Sequence, residues 1–298
     1  MTVVVRNTAQ SKIYRLVRNE CMPTYFTRFV SHLGLVRKDD IINVDFSTFC
    51  GFQVLTFAKQ THLGRALPLY FAVITYPVDK GSQTRFIMET IKQFVSLVEF
   101  VPHLVFDRGF ESPYIVLFLV KAKIPFTLRM KKDKHVIYQG KKIPLRNLTW
   151  YEKDCFVSIY QTEGITQPLR IVVSEKLSER KDSEGKEEPW YILTNDYQST
   201  KEEIIARYYL RFEIEETFKD LKHIIDLGKL YRIKMIQTFT VLLWFCTLFL
   251  WLSFLLKPMQ EYVRERVHNK RRKRLSLAKF FAEHIQLELF SSFKMQFF

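Results

Sequence analysis

From Thr238 to Leu256 the chain runs for 19 residues without a charge, TFTVLLWFCTLFLWLSFLL. No other stretch restricts the fold as much. A helix that is apolar all round has two stable settings, the hydrocarbon of a bilayer or the centre of a large protein core. The length suits either. The second setting requires other elements, brought from elsewhere in the sequence, to enclose it. Which applies depends on what the remaining residues can build.

They can build a great deal. Apolar residues make up 47% of the chain and aromatics 15%, which supplies a core and argues against disorder. Length allows one large domain or a core domain carrying an insertion. The charge is uneven: 46 Lys and Arg against 31 Asp and Glu leave a formal +15. Such an excess favours a polyanionic partner, nucleic acid or an anionic membrane surface, without choosing between them. Cys21, Cys50, Cys155 and Cys246 are widely separated and lack paired spacing. That pattern excludes a thiolate zinc site and a disulfide framework. Met1 to Asn19 has no apolar stretch of signal-peptide character, so a cytoplasmic chain is expected.

Local patterning predicts an alternation of strands and helices. Ile41–Thr48 (IINVDFST), Gln53–Lys59 and Ala66–Tyr76 read as strands, with a turn at Gly64. Gln83–Val98 has apolar residues at helical spacing. His103–Phe106 is a short strand ending at Asp107. Ser112-Pro113 opens a helix to about Lys123, and Ile124–Met130 makes a further strand. This order predicts an α/β fold, a mixed sheet flanked by helices. Short strands and turns then dominate to Asn195, with turns at Gln139-Gly140, Glu163-Gly164 and Ser183-Glu184-Gly185 and a charged stretch Arg180–Glu188. Ser199-Thr200-Lys201-Glu202 fits a capping box for a helix reaching about His223. The apolar helix follows from about Lys229, with Pro258 as its stop.

Two aspartates are expected at strand ends, Asp45 in NVDFST and Asp107 in VFDRGF. A carboxylate there projects from a rigid sheet into the crevice where ligands of α/β proteins bind. Carboxylates are hard oxygen ligands suited to Mg²⁺ or Mn²⁺, and two such ions serve phosphodiester cleavage. The rival role for either Asp is capping the next turn. On the predicted helix, Tyr208, Arg211, Glu215 and Lys222 lie at offsets of 0, 3, 7 and 14. At about 100° per residue they share one face roughly 60° wide. One acid, two bases and a phenol on one face suit a metal ligand flanked by phosphate contacts. A solvated face with ordinary ion pairs is the alternative. Glu213 and Glu216 fall on other faces, which favours Glu215 as the inward acid.

The spacing Y-x-x-R-x-x-x-E-x-x-x-x-x-x-K resembles the signature of one branch of the DDE transposases of bacterial insertion sequences. Further stretches resemble the same family in the same order: the Asp45 strand, GRALPL (Gly64–Leu69), FDRGF, FTLRMK around Arg129, and EPWYILTND with Trp190 four residues before Thr194. The likeness extends over about Ile41 to Leu256. It implies a ribonuclease-H-like fold with a β-rich insertion between the second Asp and the Glu. It also implies that Asp45, Asp107 and Glu215 are catalytic and hold two Mg²⁺, or Mn²⁺. Water and later a 3′-hydroxyl would attack phosphodiesters at the element's ends. Tyr208, Arg211 and Lys222 map onto DNA-contacting positions, and Trp190 onto a residue that stacks on a flipped base. A plain core role is the alternative for Trp190. Arg65 and Arg129 are further candidate phosphate contacts.

On this resemblance the apolar run becomes a helix packed beneath the sheet. Trp244 and Trp251 lie inside it rather than at its edges, against the belt of a membrane span. The expected organisation is a short N-terminal helical segment (1–40), the first part of the catalytic core (41–133), the β-rich insertion (134–197), the second part of the core (198–257) and a basic C-terminal helical tail (258–298). The run Lys270–Arg274 (KRRKR) in that tail is a candidate DNA-backbone contact or a solvated turn. Only 44 residues precede Asp45, where many relatives carry a longer DNA-binding region. The first segment is therefore either a short form or a truncated DNA-binding region. The implied partners are double-stranded DNA, both element ends and target, and a second copy in a synaptic dimer. The implied location is the bacterial cytoplasm, at the nucleoid when on DNA. The rivals are a non-catalytic DNA-binding remnant and an integral membrane protein built on Thr238–Leu256.

Overall fold

The computed structural model describes residues 36–75, 81–148, 154–159, 168–174, 189–223 and 236–255, with isolated positions before 36. The order begins with strands β1 (Ile41–Phe49), β2 (Phe52–Lys59) and β3 (Leu67–Thr75), helix α1 (Ser82–Leu97) and β4 (His103–Phe106). A 3₁₀ turn (Arg108–Phe110), α2 (Pro113–Lys121) and β5 (Phe126–Met130) follow. Next come β6 (His135–Tyr138), β7 (Lys141–Pro144), a 3₁₀ turn (Leu145–Asn147), β8 (Asp154–Ile159), β9 (Leu169–Val173) and β10 (Tyr191–Thr194). Helices α3 (Lys201–Tyr209), α4 (Phe212–His223) and α5 (Ile236–Leu255) close it. The turns expected at Glu163 and Ser183, the stretch Arg180–Glu188, the stop at Pro258 and the run Lys270–Arg274 lie outside the described residues, as does most of 1–40.

The chain divides into two compact units, and β1 passes from one to the other. Gly34–Asp45 and Val78–Phe212 form one; Met1–Leu33, Phe46–Pro77 and Glu213–Phe298 form the other.

In the first unit β1, β4 and β5 are parallel neighbours, and β10, β9, β8, β6 and β7 continue the sheet antiparallel. This is a large mixed sheet with helices, the expected α/β class. The parallel strands read as unbroken apolar runs because both faces are covered: Leu104, Val105 and Phe106 are all fully buried. On one face Val105, Val172 and Ile192 pack against Trp190, Ile204 and Tyr208, which seats α3 on the sheet.

In the second unit β2 and β3 form an antiparallel pair, irregular between Phe57 and Ala58. The apolar helix α5 packs on β3. Phe239 stacks on Phe52 (4.9 Å between centroids), Trp244 meets Phe71 (4.3 Å), and the Trp251 indole N–H donates to the Pro68 carbonyl. The apolar run that begins at Thr238 is thus core here. No helix among the described residues is long and apolar enough to cross a membrane.

Two expectations need correction. The capping box sits one residue later than predicted: Thr200 Oγ1 accepts from the Glu203 amide (3.2 Å), and the Glu203 carboxylate accepts from the Thr200 amide (2.7 Å). Ser199 is drawn away because its hydroxyl donates to Asp196 Oδ2 (2.6 Å). The long helix is also two helices, broken at Leu210-Arg211. The Arg211 amide bonds the Tyr208 carbonyl (3.0 Å), a 3₁₀ closure, and buried Asn43 donates to the Leu210 carbonyl (3.2 Å). A strand side chain thereby takes an acceptor that a continuous helix would use internally.

Candidate active site

The parallel register of β1 and β4 sets Ile41 beside His103 and Val44 beside Phe106. The same offset continues to Asp45 and Asp107. Neighbouring parallel strands lie about 4.8 Å apart, so the residues that follow this last pair leave the two strands at the same end. Asp107 follows the last residue of β4, as predicted. Asp45 does not end its strand; β1 runs on to Phe49. Asp45 is nonetheless the first residue of β1 beyond the paired length of β4, and this gives it the open position expected of a strand end.

Asp107 is also a cap. Its Oδ1 accepts the Gly109 amide (2.7 Å) and opens the 3₁₀ turn Arg108–Phe110. A side chain at 109 would place its Cβ 2.9 Å from that oxygen, so the glycine leaves room for the carboxylate. The turn is anchored farther on by Glu111, whose carboxylate accepts the Lys131 amide (2.8 Å) and pairs with the Lys131 ammonium (2.9 Å). The Glu111 link was not foreseen.

Asp45 is met by Arg211, whose guanidinium donates to Oδ2 at 3.0 Å with both side chains largely buried. The guanidinium lies 4.9 Å from the Phe212 ring centre and 5.7 Å from that of Tyr208. Tyr208 is fully buried and meets Trp190 edge to face at 5.1 Å. Burial pushes the phenol above its ordinary range; Arg211 and Arg129 oppose the rise and the Asp107 carboxylate adds to it. Trp190 is 4% exposed, belongs to the core cluster, and has the Arg129 guanidinium 6.0 Å from its ring centre. Among the described residues its indole N–H has no hydrogen-bond partner. Asp45, Asp107, Arg129, Trp190, Tyr208 and Arg211 all belong to the first unit.

The residues predicted to share one helical face, Tyr208, Arg211, Glu215 and Lys222, are divided by the helix break. Tyr208 ends α3, Arg211 occupies the break, and Glu215 and Lys222 ride on α4 in the second unit. Glu215 is partly exposed. Lys222 lies over the Phe49 ring (5.1 Å), and burial lowers its ammonium pKa. The most buried acid of the three is Glu213, not Glu215. Its carboxylate accepts the Thr61 and Gly64 amides, both at 2.9 Å; burial raises its pKa and these bonds oppose the rise. Arg65 of the same loop pairs with Asp220 (2.8 Å) and Glu216 (3.6 Å). Glu213, Glu216 and Asp220 thus clamp the Gly64 loop. Their spacing on α4 (i, i+3, i+7) carried that signal, but it reads equally as a solvated face.

The unforeseen polar network of the first unit lies at the start of β4. His103 contacts Thr127 Oγ1 (2.8 Å) and Arg207 (3.2 Å), while Arg207 pairs with Asp196 (2.8 Å). Burial, then the Arg207 charge, takes the imidazole from its ordinary 6.5 to about 3, against the pull of Asp196. Burial works against the Asp196 carboxylate too, yet hydrogen bonds from Ser199, Arg207 and Gln198 outweigh it and hold the group well below the carboxylate range.

Among the described residues no three His, Cys, Asp or Glu side chains gather as a metal centre. The Asp45 and Asp107 pair does suit Mg²⁺ chemically, since that ion is commonly held by one or two carboxylates with water and substrate phosphate completing the shell.

No protein of curated function matches the chain. Among solved structures, a Marinitoga piezophila Argonaute in complex with 5′ OH guide RNA and target DNA is similar at 13% identity, with a TM-score of 0.25. The match covers 58% of this chain and 26% of that one, and a likeness so slight bears on neither fold nor chemistry. A family model described as Transposase DDE domain matches residues 57–252, about two-thirds of the chain. That span takes in Asp107, Arg129, Trp190, Tyr208, Arg211, Glu215 and Lys222 and begins after Asp45. With its length, its mixed sheet and its paired aspartates, the chain belongs to the transposase DDE domain family.

Proposed function

We propose that this protein cuts and joins DNA at the ends of a mobile element, with Asp45, Asp107 and Glu215 as the ligands of two Mg²⁺ or Mn²⁺ ions. The observation that carries the reading is the parallel pairing of β1 with β4, which brings Asp45 and Asp107, the residues just past its last pair, to the same end of both strands, with Arg211 set against Asp45. Two divalent ions held by such carboxylates supply an activated oxygen nucleophile and stabilise the leaving oxygen of a phosphodiester. The residues of the chain do the rest. Arg211 is a bidentate cation beside Asp45 and is suited to a phosphate of the cut strand. Tyr208 and Lys222 add phosphate contacts. Trp190, with Arg129 over its ring, is suited to stack on an unpaired base once the aromatic cluster opens. Arg65 acts on DNA through the Gly64 loop that it helps to hold. Element-end and target duplexes are the substrates, two copies of the chain bring two ends together, and the work is done in the cytoplasm at the nucleoid.

The test is an Mg²⁺-dependent nicking assay on element-end DNA. The parent chain cleaves, and Asp107→Ala lowers cleavage by at least about a thousandfold while DNA binding persists. Equal cleavage by both proteins removes Asp107 from the chemistry. Binding by both with cleavage by neither identifies a non-catalytic DNA-binding remnant.

A further inference from the structure

The segment 131–146 (KKDKHVIYQGKKIPLR) holds six Lys or Arg and one Asp, a net +5 in sixteen residues of a chain whose whole excess is +15. In the fold it becomes the β6–β7 hairpin and its base. The two central residues of its turn, Gln139 and Gly140, have φ of 48° and 76°. Positive φ at both marks the tight type I′ geometry that matches strand twist. The base is closed by backbone bonds from Leu145 to the Lys134 carbonyl and from Arg146 to that of Lys132, both 2.9 Å, around a fully buried Leu145. The arm is therefore ordered before anything binds it, and little entropy is lost on docking.

Strand directions decide where the arm points. Starting from β5, four antiparallel pairings in succession (to β10, β9, β8 and β6) return β6 to the direction of β5. β5 is itself parallel to β4, and β4 to β1. The hairpin tip thus points toward the end that carries Asp45 and Asp107; following the pairings, Ile137 and Lys142 are level with His103, and the turn at Gln139-Gly140 reaches the level of Phe106. Twist of roughly 20–25° per strand fans it sideways, away from the carboxylates themselves. β7 is the last strand of the sheet, with Lys141 and Lys142 both exposed on it.

We infer that the β6–β7 hairpin is a second DNA-backbone contact, gripping through Lys134, Lys141 and Lys142 the phosphates of duplex that extends from the cut back along this edge of the sheet. The inference rests on the proposed reading of Asp45 and Asp107, because that reading brings a duplex to this end of the sheet. The segment offers cations and no array of base-reading side chains, so the contact is independent of sequence and weakens with salt. A competing role for the lysines is to keep an edge strand from pairing with another chain.

The full-length chain is compared with a Lys134→Gln, Lys141→Gln, Lys142→Gln variant and with the matching triple Arg variant. Binding to a 30-base-pair duplex of arbitrary sequence is followed by fluorescence anisotropy across a salt series. The Gln variant binds about tenfold or more weakly near 100 mM salt, and its log–log salt slope is shallower by about 3. The Arg variant keeps the parent's affinity and slope. Parent-like affinity and slope in the Gln variant overturn the inference, whether or not it aggregates as an uncapped edge would. If the Gln variant melts early, Lys141→Glu alone decides: a drop in affinity supports the contact and no change refutes it. The Asp107→Ala chain is run in parallel. A parent that does not cleave, beside a Gln variant that has lost binding, defeats the catalytic reading and leaves the hairpin contact standing. A cleaving parent whose Gln variant binds normally does the reverse.

Discussion

The two units each bury an arginine against an aspartate, to different ends. In the second unit Arg65 closes on Asp220 and Glu216, and Glu213 beside them takes two loop amides, so these three acids are answered by the Gly64 loop. In the first unit Arg211 reaches across from a helix break to Asp45, while Asp107 stands at the open end of the neighbouring strand. The geometry of the two ion pairs is nearly the same, 2.8 Å and 3.0 Å. What separates scaffold from candidate chemistry is what surrounds the pair. The Arg65 clamp pins a loop. Arg211 instead sits among aromatic rings and beside carboxylates that a divalent cation can claim.

Arg65→Ala and Arg211→Ala set the comparison its hardest test. Each removes one partner of a mostly buried pair, and each should cost about 3–5 kcal/mol in denaturant unfolding without metal. Added Mg²⁺ should return much of the loss in Arg211→Ala, because a cation bound at Asp45 replaces the missing charge and stabilises by mass action. It should return nothing in Arg65→Ala. Equal metal responses would erase the distinction.

A smaller effect belongs to His103, at the other end of β4 from Asp107. Its imidazole is held neutral down to about pH 3 in the folded chain, against an ordinary 6.5. The unfolded chain therefore binds the extra proton between those values, and stability falls as pH drops through that window, by roughly 3 kcal/mol at pH 4. Unfolding midpoints measured from pH 7 to pH 4 should fall less steeply in His103→Gln than in the parent. Smallest is Thr200→Ala, which removes one half of the capping box of α3 and should cost about 1 kcal/mol. Ser199→Ala tests the corrected register: it leaves the cap intact and acts only through Asp196.

Much of the architecture was legible because it depends on short-range periodicity. The strand runs around Asp45 and Asp107, the helix after Ser112-Pro113 and the apolar helix all announce themselves through spacing and punctuation; the bounds of those strands and of the first of these helices deviate by a residue or two, and the start expected for the apolar helix, about Lys229, lies outside the described residues. The misreadings arose where a distant residue intervened. Nothing near Leu210 signals a helix break, because the group that takes its carbonyl is Asn43 on a strand far back in the chain. Ser199 looks as good a cap as Thr200 until Asp196 claims its hydroxyl. Helical-wheel geometry gave no sign that Glu213 would be buried, because the Gly64 loop that folds its amides onto it lies far back in the chain.

By itself the sequence determined which segments are strands and helices, that the chain has apolar material for a large core, and which family it belongs to. These follow from side-chain periodicity and residue chemistry, which are properties of neighbours in the chain. Tertiary structure alone decided which strand the apolar run packs on, that the parallel pairing of β1 with β4 brings Asp45 and Asp107 to one end, and that a lysine-rich hairpin points toward that end of the sheet. Those outcomes depend on strand order and direction. Pairing energy is gained between residues that the chain keeps far apart, so no local pattern encodes it.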